Sequence, residues 1–130
     1  MNNNRNIYWL VGGGINLFTA VLHTIGGQLE LVSPLMSCNL IDQAKAEWIG
    51  AWHMVTIILF LTSYLLIKNG IAKNENRQTE LLKYIGYLYT IFSVPSITTS
   101  IMYNLLAPQW ILLLPIGLLA YIGTKKPKTN

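Results

Sequence analysis

Two imidazoles are the groups in this sequence best suited to chemistry, and each stands on a polar stripe at helical spacing. Asn16, His23 and Glu30 recur every seven residues, with Thr19, Ala20 and Gly26 between them. At about 100° per residue such positions share one face of a helix. A second stripe runs His53, Thr56, Phe60 and Ser63, and Asp42 joins it if its helix reaches back that far. A third runs Gly86, Tyr89, Ser93, Ser96, Ser100 and Tyr103.

A neutral imidazole can accept a hydrogen bond, carry a proton or ligate a metal. Inside a membrane helix an ionisable side chain points to function by default. The spacing predicts His23 and His53 as the principal contacts of a small or lipophilic ligand or a cofactor. Asn16, Thr56, Ser100 and Tyr103 are expected as secondary contacts. One form of that site is haem b, with His23 and His53 as the two iron ligands and Gly26–Gly27 and Gly50 leaving room for a flat ring. A closed zinc site fits less well. Glu30 and Asp42 lie about 10 and 16 Å along the axis from their histidines, and four ligands are wanted. Hydrolysis would pair an imidazole with Ser96, Ser100 or Cys38 and needs an orienting third group, which no motif supplies. The single Cys38 excludes an internal disulfide, a CxxC motif and thiol–quinone exchange. The opposing expectation is structural. Ser, Thr and Asn bond between membrane helices, Gly12–Gly14, Ala20 and Gly26 let backbones approach, and Pro95 kinks its helix.

Those residues need helices to carry them, and the charges mark where the helices lie. The stretch 48–67 holds no Lys, Arg, Asp or Glu and is bounded by Glu47 and Lys68. It is long enough to span a bilayer at about 1.5 Å rise per residue. Residues 8–26 form a first span; a signal peptide led by Arg5 is the alternative, but the apolar part is long and no small-x-small site follows. Between Lys83 and Lys125 the uncharged run is long enough for two crossings, broken near Pro108, which cannot donate a helical hydrogen bond. The expected fold is therefore all-α: one domain, residues 1–130, of four transmembrane helices at 8–26, 48–67, 83–103 and 110–122. Composition agrees. Of 130 residues 52% are hydrophobic and 11% charged, with mean hydropathy +0.42, against roughly 25% charged in soluble domains.

Net charge +4 does not point to nucleic acid, because the cations sit at the ends of apolar runs. Arg5, the 68–83 loop and Lys125, Lys126 and Lys128 fall together, which places both termini on the cytoplasmic side and loop 28–47 outside. Tyr8, Trp9, Tyr64, Tyr84, Tyr87 and Tyr121 then mark the inner interface, and Trp48, Trp52, Tyr103 and Trp110 the outer one. Asn39 to Asp42 resembles a helix cap and Asn69-Gly70 a helix end. His23 and His53 fall at one depth, roughly 7–10 Å outward of mid-span by helical rise. Three functions fit: a binder of a lipophilic ligand or cofactor in an outward-facing polar pocket; a small transporter or channel subunit acting as a homo-oligomer; or an accessory subunit of a larger membrane complex. Whether any reaction is catalysed does not follow from the residues.

Overall fold

The computed structural model describes residues 5–125, so Lys126 and Lys128 lie outside the described residues. Four helices make up nearly all of it: α1 (Ile7–Ser37), α2 (Asp42–Ile71), α3 (Thr79–Met102) and α4 (Gln109–Thr124). The first three are long and apolar enough to cross a membrane, and α4 is a shorter apolar helix. The existence and order of all four are as the sequence predicts. The helices outrun the uncharged stretches because a helix need not stop where charge begins. α1 continues past Gly26 through a wide π-helical turn, Gln28–Val32. Pro34 follows at once; it has no N–H and its ring crowds the carbonyl four residues back, which the wide turn accommodates.

Two expected boundary signals act differently. Asn39 caps nothing: Ile41 holds the position before α2 and no side chain bonds the first turn. Asn69-Gly70 stands one residue before the end of α2 at Ile71, but no glycine among the described residues takes the positive φ of a left-handed cap. Gly70 is instead a packing residue, since a Cβ there would meet Leu10 at 2.8 Å. Its carbonyl accepts the Asn6 backbone N–H at 2.9 Å. Asn69 spans the turn, donating to the Leu65 carbonyl (2.9 Å) and accepting the Gln78 N–H (2.7 Å).

The helices pack mainly as two pairs, α1 with α2 and α3 with α4, and the pairs meet chiefly through α1 and α4. One end, here the base, holds Asn6, the 72–78 connection and Lys125. The opposite end, the crown, holds the 38–41 and 103–108 connections, the latter turning through Asn104 at φ 50°. Core side chains collect in the base half: Trp9, Ala20, Leu59, Leu66, Leu82, Ile85, Tyr89, Ile116 and Ala120. Burial stops at Ala20, Leu59, Ser93 and Ile116 on the four helices, and beyond them only Val32 is buried among the described residues. Close backbone approach builds the base. A Cβ on Gly117 would meet the Thr90 backbone nitrogen at 2.8 Å and the Gly86 carbonyl at 2.9 Å, a small-residue contact of the kind that joins helices in lipid. Asn6 closes the end by donating to the Gly123 carbonyl (2.8 Å), while Trp9 Nε1 donates to the Ala120 carbonyl (2.9 Å). Trp9, expected as an interfacial ring, is thus at the expected end but 1% exposed.

Candidate functional site

The polar stripes of α1 and α3 turn inward along most of their length, whereas the α2 stripe does so only at Thr56 and Ser63, His53 and Phe60 being exposed. Two different kinds of site lie along the resulting seam. In the base half α1, α2 and α3 converge on Asn16, Thr62 and Tyr89. Asn16 Nδ2 lies 3.3 Å from the Leu59 carbonyl and 2.9 Å from Thr62 Oγ1. A carbonyl only accepts, so the amide nitrogen must face it, leaving Oδ1 to accept from Tyr89 Oη at 2.9 Å. With the Tyr89 proton so committed, the 2.6 Å contact between Thr62 Oγ1 and Tyr89 Oη is donated by Thr62. That one proton is shared with the Ile58 carbonyl, also at 2.6 Å. The three side chains form a closed ring, each donating to the next, an arrangement in which the bonds polarise one another. Asn16 and Tyr89 are both 0% exposed. No buried side-chain nitrogen or oxygen among the described residues lacks a partner. Asn16, expected as a ligand contact, is therefore placed where its amide is wholly used by the fold.

In the crown half the seam continues, half-buried. On α2 the inward line reads Lys45, Ile49, Trp52, Thr56, then Leu59 and Ser63 in the core; on α3 it reads Ser96 and Ser100 beyond Ser93. His23 is half-buried on α1, its ring stacked on Trp52 with centroids 3.6 Å apart and planes 12° from parallel. His23 Nε2 lies 3.4 Å from the Trp52 carbonyl. A carbonyl cannot donate, so that contact is a hydrogen bond only with Nε2 protonated, which leaves the Nδ1 lone pair of the neutral ring unshared. Thr56 Oγ1 donates to the same carbonyl at 3.1 Å. Gly27 makes room for the indole: a Cβ there would overlap Trp52.

His53 is placed one residue, hence about 100°, round α2 from Trp52, and it is exposed. The structure thus brings Trp52, not His53, against His23. Ser100 donates to the Ser96 carbonyl (2.8 Å) and accepts the Ala107 N–H (2.9 Å), fastening the 103–108 connection. Tyr103, at the end of α3, is 69% exposed. Glu30 and Asp42 are exposed, and no three His, Cys, Asp or Glu come together among the described residues. Two axial imidazoles from one chain need both rings lining a single slot. Here the slot beside Gly27 holds the protein's own indole, so the residues of one chain do not fit a haem held by His23 and His53. A shallow apolar depression lined by Glu30, Leu31, Pro34, Leu35, Cys38 and Trp48 lies at the crown tip.

Trp52, expected as an interfacial ring, stacks in the seam instead, and Thr62 belongs to no expected stripe although it bonds Asn16 and Tyr89. Both lie at helical spacing from Thr56 and Leu59, but nothing in a lone stripe distinguishes 52-56-59-63 from 53-56-60-63. At the base, Arg77 sits over the Trp9 ring, 5.7 Å from its centre. Partial burial lowers the Arg77 pKa from its ordinary value, and the guanidinium remains charged at neutral pH. Comparison with protein-family models, with curated proteins and with solved structures finds no match to this chain.

Proposed function

We propose that this chain is a multi-pass membrane protein that holds a small lipophilic molecule in its crown half, between the α1–α2 and α3–α4 pairs. The observation that carries the reading is the limit of the core. Below Ala20, Leu59, Ser93 and Ile116 the inward groups are buried apart from the partly buried Ile15 and Leu65 at the core's margin; above them the same seam stays half-buried and includes an imidazole with an unshared nitrogen. The His23–Trp52 stack is the principal contact. Thr56 and Ser96 line the same seam, and Ser100 and Tyr103 stand near its mouth. The flat apolar face of the stack suits a ring or an acyl chain, and the imidazole nitrogen suits a hydroxyl or other hydrogen-bond donor on it. The base half supports a binder over a pore within one chain, because a path through it would cross the satisfied Asn16–Thr62–Tyr89 ring and the Leu66, Leu82 and Ile116 side chains.

The base faces the cytoplasm in this reading. Among the described residues it gathers Arg5, Lys68, Lys73, Arg77, Lys83 and Lys125 against Glu75 and Glu80, while the crown has Lys45 against Glu30, Asp42 and Glu47. Exposed Cys38 reports the side directly. A membrane-impermeant maleimide should label it in intact cells, and labelling only after permeabilisation would reverse the orientation.

The function test is extraction of protein purified in mild detergent, with mass spectrometry of the organic phase. A compound at about one per chain, kept by Met54→Leu and lost from Trp52→Ala and His23→Leu, is the expected result. Recovery of bulk lipid alone, equal for all variants, would sink the binder. One observation favours a second reading. His53 is an ionisable group on a helix of membrane-spanning length and stands exposed, whereas such groups usually face a partner. A second copy or a larger membrane complex covering that face would make this an oligomeric transport subunit or an accessory subunit. The mass of the native particle in detergent distinguishes these from a monomeric binder.

A further inference from the structure

Two lysine–tyrosine pairs meet across the α3–α4 seam at the base. On α3, Lys83 precedes Tyr87 by four residues; on α4, Tyr121 precedes Lys125 by four. Residues four apart share a helix face, and α3 runs away from the base while α4 runs toward it. Both lysines therefore lie on the base side of their tyrosines. The two rings come together, with centroids 5.5 Å apart and planes 37° apart. Lys125 Nζ stands 4.7 Å from the centre of the Tyr121 ring. Lys83 has an ion pair with Glu80 at 3.8 Å, on a carboxylate side chain that is 76% exposed, so solvent screens it.

Backbone contact holds this arrangement in register. A Cβ on Gly86, next to Tyr87, would meet the Tyr121 backbone nitrogen at 3.0 Å and the Gly117 carbonyl at 3.1 Å. The lysines thus bracket a tyrosine pair whose spacing is set by touching helices rather than by flexible side chains. Tyr87 is exposed and Tyr121 half-buried, with the Lys125 ammonium over one face of the Tyr121 ring.

We propose that this seam binds one anionic phospholipid, its phosphate between Lys83 and Lys125 and the start of an acyl chain across the Tyr87 and Tyr121 rings. Charge selects the headgroup, since ammonium groups at the membrane surface attract anionic lipid. The phenols add hydroxyl donors at the depth of phosphate and ester oxygens. Lys68 over Tyr64 on α2, at 5.6 Å, is a single pair and provides an internal comparison. The proposal rests on the membrane reading given above but not on the crown ligand. A chain released from membranes without detergent removes the membrane reading itself, whereas a detergent-requiring chain with no lipid preference removes only this site.

The test is native mass spectrometry of the purified protein titrated with phosphatidylglycerol, and separately with phosphatidylcholine of the same chains. Phosphatidylglycerol should be retained at one copy and phosphatidylcholine should not. Lys83→Gln and Lys125→Gln should each weaken retention about fivefold, and together about 30-fold, while Lys68→Gln leaves it unchanged. Lys83→Arg with Lys125→Arg should keep it. If the double glutamine variant does not fold, the single variants decide by the same criterion. Glycerol phosphate, which has the charge but no chains, should not compete; competition would assign a soluble phosphate ligand and overturn the lipid. Retention that survives both glutamines, or that falls as much with Lys68→Gln, would overturn the site.

Discussion

The base and crown halves are made from the same four helices and much the same residue types, yet one is finished and the other is not. In the base, helices approach until glycines touch carbonyls, and every buried polar side-chain atom has a partner. In the crown the seam keeps its Ser, Thr and His residues but loses the backbone approach; Gly27 there meets the Trp52 side chain rather than a backbone, and a Cβ on half-buried Gly26 would meet nothing within 4 Å. Lipid is as apolar as a leucine side chain, so membrane helices associate through packing and hydrogen bonds. The base has both. Two prolines stand near the boundary, Pro95 just beyond the last buried residue of α3 and Pro115 just before the first of α4. Each removes a helical hydrogen bond there. A half that holds itself together by such contacts is a scaffold, and a half that lacks them has surface left for something else.

Glycine-to-leucine substitutions should break this comparison most sharply. Gly117→Leu drives a side chain into the Thr90 and Gly86 backbones, which have no rotamer to yield, and should cost about 3 kcal/mol or more. Gly26→Leu, at a half-buried crown position where a Cβ would meet nothing within 4 Å, should leave stability within about 0.5 kcal/mol. Unfolding in mixed micelles, followed by tryptophan fluorescence, measures both. Similar losses at the two positions would mean that the crown is as tightly packed as the base.

Polar groups give the next effect. Asn16→Leu removes the bonds to Thr62, Leu59 and Tyr89 together and leaves a buried phenol and hydroxyl short of a partner. A loss of about 1–3 kcal/mol is expected, in the same unfolding assay. Ser96→Leu, half-buried in the crown, should cost less than Asn16→Leu, and Met54→Leu, 61% exposed, should be nearly silent. A double-mutant cycle of Asn16→Leu with Tyr89→Phe should show coupling of about 0.6–1.7 kcal/mol, the range of hydrogen bonds between membrane helices. Strict additivity of that pair would break the ring.

Helix number and order were legible because charge and hydropathy report them directly, and so was the inward turn of the α1 and α3 stripes, though not that of α2. The split into two halves was not. Asn16 and His23 sit on one stripe of one helix, seven residues apart, and only the neighbouring helices decide that the first is sealed and the second half-open. Gly13 reads as a close-approach residue, Gly27 as room for a flat ring and Gly70 as a helix end; the structure sets them against Ile67, Trp52 and Leu10 respectively. Asn69-Gly70 stands one residue before the end of α2 at Ile71, but the glycine takes no left-handed cap and packs against Leu10 instead. The face of α2 turned on one residue. Thr56 and Ser63 belong to either candidate stripe, so the choice between Trp52 and His53 needed the position of α1.

His53 should give the smallest effect and the most discriminating one. It is exposed on α2, and a neutral imidazole moved into detergent or lipid loses little when replaced by an apolar side chain. In the isolated chain His53→Leu should therefore change unfolding stability by less than about 0.5 kcal/mol, as surface substitutions usually do. His23→Leu removes the stack on Trp52 and the bond to its carbonyl, and should cost more, about 1 kcal/mol. The two histidines thus separate cleanly in the purified chain. The same pair is then measured in native membranes, by the mass of the particle that each variant forms. If His53→Leu leaves both stability and particle mass unchanged, His53 is an idle side chain near the membrane surface and the crown seam alone carries the function. If it is silent in the isolated chain but dissociates a larger particle, the exposed face of α2 is an interface, and the oligomeric or accessory-subunit reading takes precedence. A loss in the isolated chain equal to that of His23→Leu would contradict the placement itself, because an exposed residue without a partner has nothing to lose.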